Sequence, residues 1–342
     1  MAYPDAEALD WASAVLDTEV TVLRGLRHGG SPWLLRAGDR EVVLRVARAG
    51  QAAETATEVA AMTYAARVAG AVFPVAELLG YDLAERTGYG LVLTACMPGT
   101  SVIPPGPDPG RLRALGAAAA RISSVEVTPA PALPVRSRPI EADDFAGMRR
   151  EQGTSDLLRA AEAAVAATRP DDGRLGLVHG DLWHGNTLWD DGRLTAVLDW
   201  DCAGVGPAGI DLGSLRCDAA WCHGAEAAGH ILRGWEAEAG RPASDVPYWD
   251  AVAALASPPD MGWFPASMAA QGRPDLTREV MLERRDAFLG AALSGLAAAG
   301  LPAAQAARRR TSQTVAAMSS TDKASSQPPS IHWNGQKRLP GW

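Results

Sequence analysis

The chain has 342 residues, 47% hydrophobic and 21% charged, which predicts a folded protein of about two domains and excludes a wholly disordered or collagen-like chain. Its net charge of −8 argues against a general nucleic-acid binder and is compatible with a neutral or cationic small partner. Because it has neither a signal-peptide pattern nor an apolar run of the ~18 residues that cross a bilayer, we expect a cytoplasmic protein that contacts no membrane.

The distribution of lysine and cysteine constrains the chemistry. The lysines are Lys323 and Lys337, so a cation that binds phosphate within residues 1–322 has to be an arginine. Four cysteines without a C-x-x-C pair predict buried free thiols rather than a zinc cluster or a disulfide framework.

The first hundred residues have the pattern of a small sheet with one helix. A turn-prone segment, residues 28–32, separates the first two apolar runs, and residues 52–68 carry apolar side chains at helical spacing. The last apolar run stops at Pro98-Gly99. The predicted strands cover residues 20–26, 33–35, 41–46 and 91–97. We therefore expect an antiparallel sheet.

Helical patterns dominate after a proline-rich stretch that follows residue 98. Two short β runs, residues 175–178 and 194–198, flank the most polar segment of the chain. From residue 311 the composition shifts to Ser, Gln, Pro and Lys, which predicts a disordered tail over residues 311–342. The predicted helices cover residues 111–122, 155–167, 213–239, 248–255 and 275–300.

The polar segment, VHGDLWHGNTLWDDGRLTAVLDWD, carries the chemistry. His179, Asp181, Asn186 and Asp199 lie next to short apolar strands, in loops. Carboxylate and amide oxygens are the hard ligands that Mg²⁺ prefers, and Mg²⁺ is usually shared with substrate phosphates. A carboxylate that binds no metal accepts the proton of a hydroxyl nucleophile. These residue types therefore favour phosphoryl transfer.

Two other interpretations of the same residues remain open at this point. The H-x-D-x-x-H spacing of His179, Asp181 and His184 has the ligand types of a zinc hydrolase, although the chain has only six histidines. Alternatively, Asp181 and Asn186 are turn and cap residues that bind nearby backbone.

The segment from His179 to Asn186, followed by Val197-Leu198-Asp199-Trp200, resembles the catalytic and metal-binding signature of the aminoglycoside phosphotransferase family. The resemblance covers residues ~15–300 and is strongest at 178–213. It implies an α+β, protein-kinase-like bilobal fold, with a small antiparallel-sheet N-lobe that contains one helix and a larger, mainly helical C-lobe. The implied domains are a nucleotide-binding lobe (1–97), a catalytic and substrate-binding lobe (98–308) and a disordered tail (309–342).

Each residue of the signature has a role that the resemblance implies. Asp181 and His179 are the candidate catalytic residues: Asp181 matches the base that deprotonates the acceptor hydroxyl, and for His179 an architectural role is favoured. Asn186 and Asp199 match the Mg²⁺ ligands. Asp211 matches an acid that steadies the catalytic loop, or it caps the following helix.

The N-terminal half supplies the implied nucleotide-binding residues. Arg45 occupies the place of the kinase lysine, with Glu58 as its partner and Glu54 as the alternative. Gly29, Gly30 and Ser31 lie where a phosphate-covering loop belongs, although they lack the G-x-G-x-x-G pattern. Val43 resembles the side chain that packs on adenine, and Ala95 and Met97 fall at the hinge that pairs with the adenine edge.

The resemblance implies an ATP- and Mg²⁺-dependent O-phosphotransferase that acts on a small hydroxylated molecule, with an aminoglycoside-like antibiotic as one acceptor class. Trp183 and Asp218 are the candidate acceptor contacts. The alternatives are a small-metabolite kinase of the choline or homoserine type and a nucleotide-binding pseudoenzyme that regulates a partner. We expect a monomer or weak dimer.

Overall fold

The computed structural model describes residues 4–27, 30–47, 50–69, 73–84, 87–168, 170 and 173–318. Contacts group the chain into two units, Met1–Leu296 and Ala297–Trp342. The first unit contains all the strands and the helices that surround them, and in the second the structure describes the continuation of one helix to Met318. The predicted division at residues 97 and 98 stays a prediction.

The N-terminal part of the chain forms a five-stranded sheet in the order β1-β2-β3-β5-β4, in which every neighbouring pair is antiparallel. Its elements are α1 (Ala6–Leu16), β1 (Val20–Arg27), β2 (Gly30–Ala37), β3 (Arg40–Val46), α2 (Ala52–Ala69), β4 (Leu78–Leu83) and β5 (Gly90–Ala95). The antiparallel sheet is confirmed. Strand β4 was not predicted, because its Gly80-Tyr81-Asp82 interrupts the alternation of apolar residues.

The helix predicted within this region is α2, and a further helix that was not predicted, α1, precedes the sheet. Ala8, Trp11 and Ala12 are buried at helical spacing and pack in one apolar cluster with the sheet residues Leu35 and Leu44. Residues 6–16 therefore belong to the folded body. On strand β3 the alternation buries one face and leaves Arg45 on the other.

Helices dominate after β5, as predicted. Two two-stranded sheets, β6-β9 and β7-β8, interrupt them. The elements are α3 (Pro109–Ser124), α4 (Phe145–Gln152), α5 (Asp156–Ala167), β6 (Leu175–Val178), β7 (Thr187–Asp190), β8 (Arg193–Val197), β9 (Gly204–Pro207), α6 (Gly209–His223), α7 (Ala225–Ala239), α8 (Val246–Leu255), α9 (Phe264–Ala270) and α10 (Arg278–Met318). None of the helices in the described part of the chain combines the length and apolar character needed to cross a membrane.

Two predicted boundaries differ from the structure. The helix expected over residues 213–239 is two helices, α6 and α7, separated at Gly224, whose φ of 94° lies in the left-handed region. The last helix does not stop near residue 300 but extends to Met318, so the first eight residues of the predicted tail, 311–318, are helical. The rest of that tail, residues 319–342, lies outside the described residues.

Helices α3 and α7 approach each other closely because glycines face each other at their contact. A Cβ on Gly116 would lie 2.0 Å from the carbonyl oxygen of Ile231, and a Cβ on Gly234 would lie 2.0 Å from that of Arg113. Backbone atoms at that distance cannot move aside independently of their helix. The sequence pattern of small residues on α3 is therefore a packing requirement.

We expect Gly116→Ala to lower the free energy of unfolding by about 1–3 kcal/mol, because overpacking exceeds the gain of about 1 kcal/mol in helix propensity. Gly290→Ala, in the interior of α10, is the matched control, since nothing lies within 4 Å of its added Cβ. That variant should be as stable as the parent or more stable. Denaturant unfolding of both variants tests this, and equal effects would contradict the packing argument.

Candidate active site

The segment between β6 and β7, residues 179–186, forms a tight loop, which we call the HGD loop. Gly180 has a φ of 80°, and a Cβ there would lie 2.2 Å from the carbonyl oxygen of Cys202. A short 3-10 helix, His184–Asn186, ends the loop. The hairpin β7-β8 then returns the chain, and the N–H of Leu198 donates to the carbonyl oxygen of Asn186 at 2.8 Å. Two polar segments that are separate in sequence thereby become neighbours.

Asp199 follows this hairpin in an unusual backbone conformation. Its φ of 67° and ψ of 61° are left-handed, and a second 3-10 helix, Trp200–Cys202, begins directly after it. Aspartate tolerates this region better than most residues, but non-glycine residues that adopt it concentrate at functional sites. The turn places Asp199 on the side of the loop that faces the five-stranded sheet, where Arg45 meets it.

Asp181 and Asn186 are joined directly. The side-chain nitrogen of Asn186 donates to the backbone oxygen and to Oδ2 of Asp181, both at 3.0 Å. Because the side-chain nitrogen donates to Asp181, the side-chain carbonyl oxygen is the atom of Asn186 that can bind a cation. Burial raises the pKa of Asp181, and repulsion from Asp199 and Asp201 raises it further, against the lowering effect of Asn186. The concentration of negative charge favours a bound cation.

His179 has both ring nitrogens occupied. Its Nε2 donates to the carbonyl oxygen of Leu198 at 2.8 Å, and its Nδ1 accepts the N–H of Asp181 at 3.3 Å. The ring packs on Trp200 with centroids 4.5 Å apart, and burial lowers its pKa, so the imidazole is neutral. His184 contacts Asp218 instead. The proposed zinc ligands His179, Asp181 and His184 therefore do not converge.

Arg45 lies among three carboxylates. Its Nη1 contacts Glu58 at 3.1 Å and also Asp199, and its Nη2 contacts Asp201 at 2.6 Å. The partner on α2 is thus Glu58 rather than Glu54. Burial would lower the pKa of Arg45, but the three carboxylates reverse this and raise it. One cation does not neutralise three anions: burial, with repulsion from Asp199 and Asp201, raises the pKa of Glu58 to about 7 despite Arg45.

Asp201 is the residue of this cluster that sequence reasoning missed. Its signal was the Asp-Trp-Asp spacing, which puts a second carboxylate two residues after Asp199. Burial and repulsion from Asp199 raise the pKa of Asp201, while Arg45 lowers it. Its contact with Arg45 spans 156 residues of sequence, so only the fold could show that it belongs to the site.

Helix α6 holds two buried aspartates against the HGD loop. Asp211 accepts the backbone N–H groups of His179 at 2.7 Å and of Gly180 at 2.9 Å. It therefore binds the loop rather than its own helix terminus. Asp218 accepts the backbone N–H of His184 at 3.2 Å and also contacts the ring Nδ1 of that residue. Burial would raise the pKa of Asp218, but His184 reverses this and lowers it.

The two predicted acceptor contacts differ in accessibility. Trp183 is half-buried, and its ring covers Gly185, where a Cβ would lie 2.2 Å from the indole. Only glycine leaves room for the indole in this position. Asp218 is 4% exposed, with its carboxylate bound to His184, so the structure does not place it at an open surface.

The predicted nucleotide-binding residues lie on the sheet. Val43 pairs with Thr94 across β3 and β5, and Ala95 pairs with Val42 at the end of β5, two residues before Met97. Of the predicted phosphate-covering segment, Gly29 lies outside the described residues, and Gly30 and Ser31 begin β2. The Ser31 hydroxyl accepts the N–H of Val46 at 3.0 Å, which joins the start of β2 to the end of the Arg45 strand.

The oxygen donors at the junction of sheet and loop fit a hard divalent cation. Asn186 offers a carbonyl oxygen beside Asp181, and Asp199 offers a carboxylate whose negative charge, with that of Asp201, raises the pKa of Asp181. Magnesium prefers such oxygen ligands and keeps waters of its own, so two protein ligands are sufficient. The donor set matches Mg²⁺ rather than Zn²⁺, which favours histidine and cysteine.

Comparison with known proteins agrees with this geometry. A family model described as the APH phosphotransferase enzyme family matches residues 22–255, more than half of the chain. The chain belongs to this phosphotransferase enzyme family. A search of curated proteins found no match.

Three solved structures illustrate the likeness of fold. A candidate aminoglycoside phosphotransferase from Ralstonia eutropha JMP134 is 16% identical over 84% of this chain and 98% of its own, with a TM-score of 0.57. The macrolide 2′-phosphotransferase MphH from Brachybacterium faecium is 24% identical over 81% of this chain and 96% of its own, with a TM-score of 0.53. A thermostable mutant of aminoglycoside phosphotransferase APH(4)-Ia, in a ternary complex with AMP-PNP and hygromycin B, is 18% identical over 83% of this chain and 98% of its own, with a TM-score of 0.54. They confirm the kinase-like α+β fold.

Proposed function

We propose that this protein is an ATP-dependent O-phosphotransferase that moves the γ-phosphoryl group to a hydroxyl of a small molecule. One observation carries the proposal: Arg45, which pairs with Glu58, also contacts Asp199 next to the HGD loop. A phosphate-binding cation, an oxygen-rich cation site and a candidate base, Asp181, are thereby adjacent. Phosphoryl transfer requires these groups, because its catalysis consists mainly of positioning and charge neutralisation.

Asp181 is the proposed catalytic base. Its carboxylate accepts the proton of the acceptor hydroxyl while that oxygen forms a bond to the γ-phosphorus. The bond between the γ-phosphorus and the bridging oxygen breaks, and ADP leaves with the electron pair. Asn186 orients the base through its hydrogen bond to Oδ2. His179, neutral and bound to backbone on both nitrogens, keeps the loop in place rather than moving a proton.

Asn186 and Asp199 are the proposed Mg²⁺ ligands. When bound there, Mg²⁺ supplies positive charge that neutralises the phosphate oxygens as the phosphoryl group moves. In the structure, Arg45 contacts Asp199 and Asp201. We propose that with nucleotide present the Arg45 guanidinium retains Glu58 and turns its second edge to the phosphates, because its planar fork serves two anions at once.

The N-terminal lobe, residues 1–97, is the proposed site of the nucleotide. Gly29, Gly30 and Ser31 would cover the phosphates, and Val43 would pack on the adenine. The backbone of Ala95 and Met97 would pair with the adenine edge. The proposal is supported by the position of Val43 on the same strand as Arg45 and of Ala95 at the end of the neighbouring strand β5. A solved protein of the same fold binds AMP-PNP.

The C-terminal lobe, residues 98–308, would bind the acceptor. Trp183 lies in the HGD loop two residues after Asp181 and presents a half-buried indole, which suits stacking on a sugar ring or on an apolar face. Proteins of this fold include a macrolide 2′-phosphotransferase and a phosphotransferase that binds hygromycin B, so an antibiotic is one acceptor class. A small metabolite with a hydroxyl, such as choline or homoserine, is the other.

An acceptor screen tests the proposal. The purified protein is incubated with ATP, Mg²⁺ and separate aminoglycosides, macrolides, choline or homoserine, and products are detected by mass spectrometry as addition of one phosphoryl group. We expect transfer to at least one acceptor, and transfer about 10³-fold slower by Asp181→Asn. The proposal fails if no acceptor is phosphorylated and the variant consumes ATP at the parent rate.

A second candidate function is nucleotide binding without transfer. The contact of Arg45 with both Asp199 and Asp201 favours it, because the same guanidinium cannot bind phosphates while it holds all three carboxylates. Nucleotide binding measured by calorimetry, with no turnover in the acceptor screen, would support this candidate over the transferase.

A further inference from the structure

Two buried aspartates of α6 bind opposite halves of the HGD loop. Asp211 and Asp218 are seven residues apart, which is two helical turns and about 10.5 Å along one helix face. Asp211 accepts the N–H groups at the start of the loop, as the family resemblance led us to expect. Asp218, which that resemblance does not assign to the loop, contacts the second half. The helix thus spans the whole loop.

The contact of Asp218 acts on the residue that leads into Asn186. Its carboxylate binds both the backbone N–H and the ring Nδ1 of His184, and the hydroxyl of Thr187 donates to the carbonyl oxygen of His184 at 2.7 Å. His184 is therefore held on both sides of its backbone. Asn186 lies between His184 and Thr187 in the chain, so the position of its side chain depends on these contacts.

We propose that Asp218 is a positioning residue for phosphoryl transfer, a proposal that rests on the function proposed above. Through His184 it sets where the Asn186 amide lies relative to Asp181, while Asp211 sets the position of Asp181 itself. The distance between base and metal ligand is then fixed by a rigid helix rather than by the loop. Displacement of reacting groups by about 1 Å is enough to reduce rates about 10²-fold, so this support has a kinetic consequence.

The environment makes the contact difficult to replace. His184 is 1% exposed and Asp218 is 4% exposed, so water does not compensate for a lost hydrogen bond. Cys222 adds a third donor, with its Sγ 3.6 Å from Oδ1 of Asp218.

His184, Asp218 and Cys222 also have the side-chain types of metal ligands, and their ligand atoms lie within 4.8 Å of one another. Because Asp218 already binds His184 directly, the cluster is satisfied as a hydrogen-bonded network.

The test compares Asp218→Asn with a matched control, Asp250→Asn. Asp250 is 5% exposed and accepts two hydrogen bonds from Arg216 of α6, at 2.8 and 2.9 Å, so its variant also loses a buried charge pair next to this helix. It does not contact the HGD loop in any hydrogen bond of the described residues. Each purified variant is checked for folding by circular dichroism. Its kcat, its KM for ATP and the Mg²⁺ dependence of its rate are then measured in two assays, phosphate transfer to the best acceptor and ATP hydrolysis without acceptor.

We expect Asp218→Asn to lower kcat about 10²-fold and to require more Mg²⁺ for half-maximal rate, with little change in the KM for ATP. Asp250→Asn should melt at a lower temperature with kcat of the folded protein unchanged. Equal kinetic effects of the two variants would overturn the proposal. The proposal would also be overturned if the parent protein contained one mole of zinc per mole and Cys222→Ala contained none. The cluster of His184, Asp218 and Cys222 would then be a metal site. If the parent neither transfers phosphate nor hydrolyses ATP, the proposed function itself fails.

Discussion

Asp181→Asn is expected to lower kcat for phosphate transfer by about 10³-fold, because asparagine cannot accept the proton of the acceptor hydroxyl. The side chain keeps its size, and the amide can still contact Asn186, so we expect the fold to be retained. The KM for ATP should change little, since Asp181 faces the acceptor rather than the nucleotide in the proposed mechanism. Steady-state kinetics on the acceptor found in the screen measure both parameters.

The control for this prediction is Asp190→Asn. Asp190 is exposed at the end of β7, so its substitution removes the same charge from the hairpin that follows the HGD loop without touching the loop. We expect kcat of Asp190→Asn to stay within about twofold of the parent value, because surface substitutions usually have small effects. If Asp181→Asn retained the parent kcat, Asp181 could not be the base, and the HGD loop would serve only to bind nucleotide.

Arg45→Ala is the second substitution with a large expected effect, and it should affect both stability and nucleotide use. Removal of the guanidinium leaves Glu58, Asp199 and Asp201 without their shared cation, which we expect to cost about 3 kcal/mol of unfolding free energy. Glu58, whose pKa is already raised to about 7, can bind a proton and limit this loss. The KM for ATP should rise about 10- to 100-fold, the equivalent of one charge-assisted hydrogen bond.

Two variants separate these effects. Arg45→Lys keeps the charge but loses the planar fork, so it should recover stability better than nucleotide affinity. Arg36→Ala removes an arginine of the neighbouring strand whose pair with Glu41 is solvent-exposed, and it should cost less than about 1 kcal/mol. Denaturant unfolding and ATP kinetics provide the measurements. An unchanged KM for ATP in Arg45→Ala would contradict the assignment of Arg45 to the phosphates.

The HGD loop could be predicted because its chemistry is contained in a short stretch of sequence. The spacing from His179 to Asn186 is a local pattern of residue types, with Gly180 at a positive φ and a 3-10 helix at the end. The antiparallel sheet followed from alternation on its strands in the same way. Strand β4 escaped prediction because Gly80-Tyr81-Asp82 interrupts its apolar alternation, and helix α1 because its burial depends on the distant strands that it packs against.

The residues that act at long range could be predicted only in part. Glu58 was named as the partner of Arg45 from its place on the helix after the strand, with Glu54 as the alternative, and the structure places Glu58 at the guanidinium. Asp201 was missed, since its contact with Arg45 depends on how the sheet lies against the loop. Asp218 was expected at the acceptor, and the structure places it beneath the loop. The periodicity of a helix can predict that a residue is buried, but it does not predict which residues that side chain contacts.

The sequence by itself determined which chemical groups the candidate site contains: the carboxylates and the amide around Asp181, and an arginine in place of lysine as the proposed phosphate-binding cation. These are properties of residue type and local spacing, which need no knowledge of distant contacts. Only the tertiary structure decided that Arg45 is shared among three carboxylates and that α6 supports both halves of the HGD loop through Asp211 and Asp218. Such contacts join residues far apart in sequence, and their energies depend on burial, which the chain acquires only when it folds.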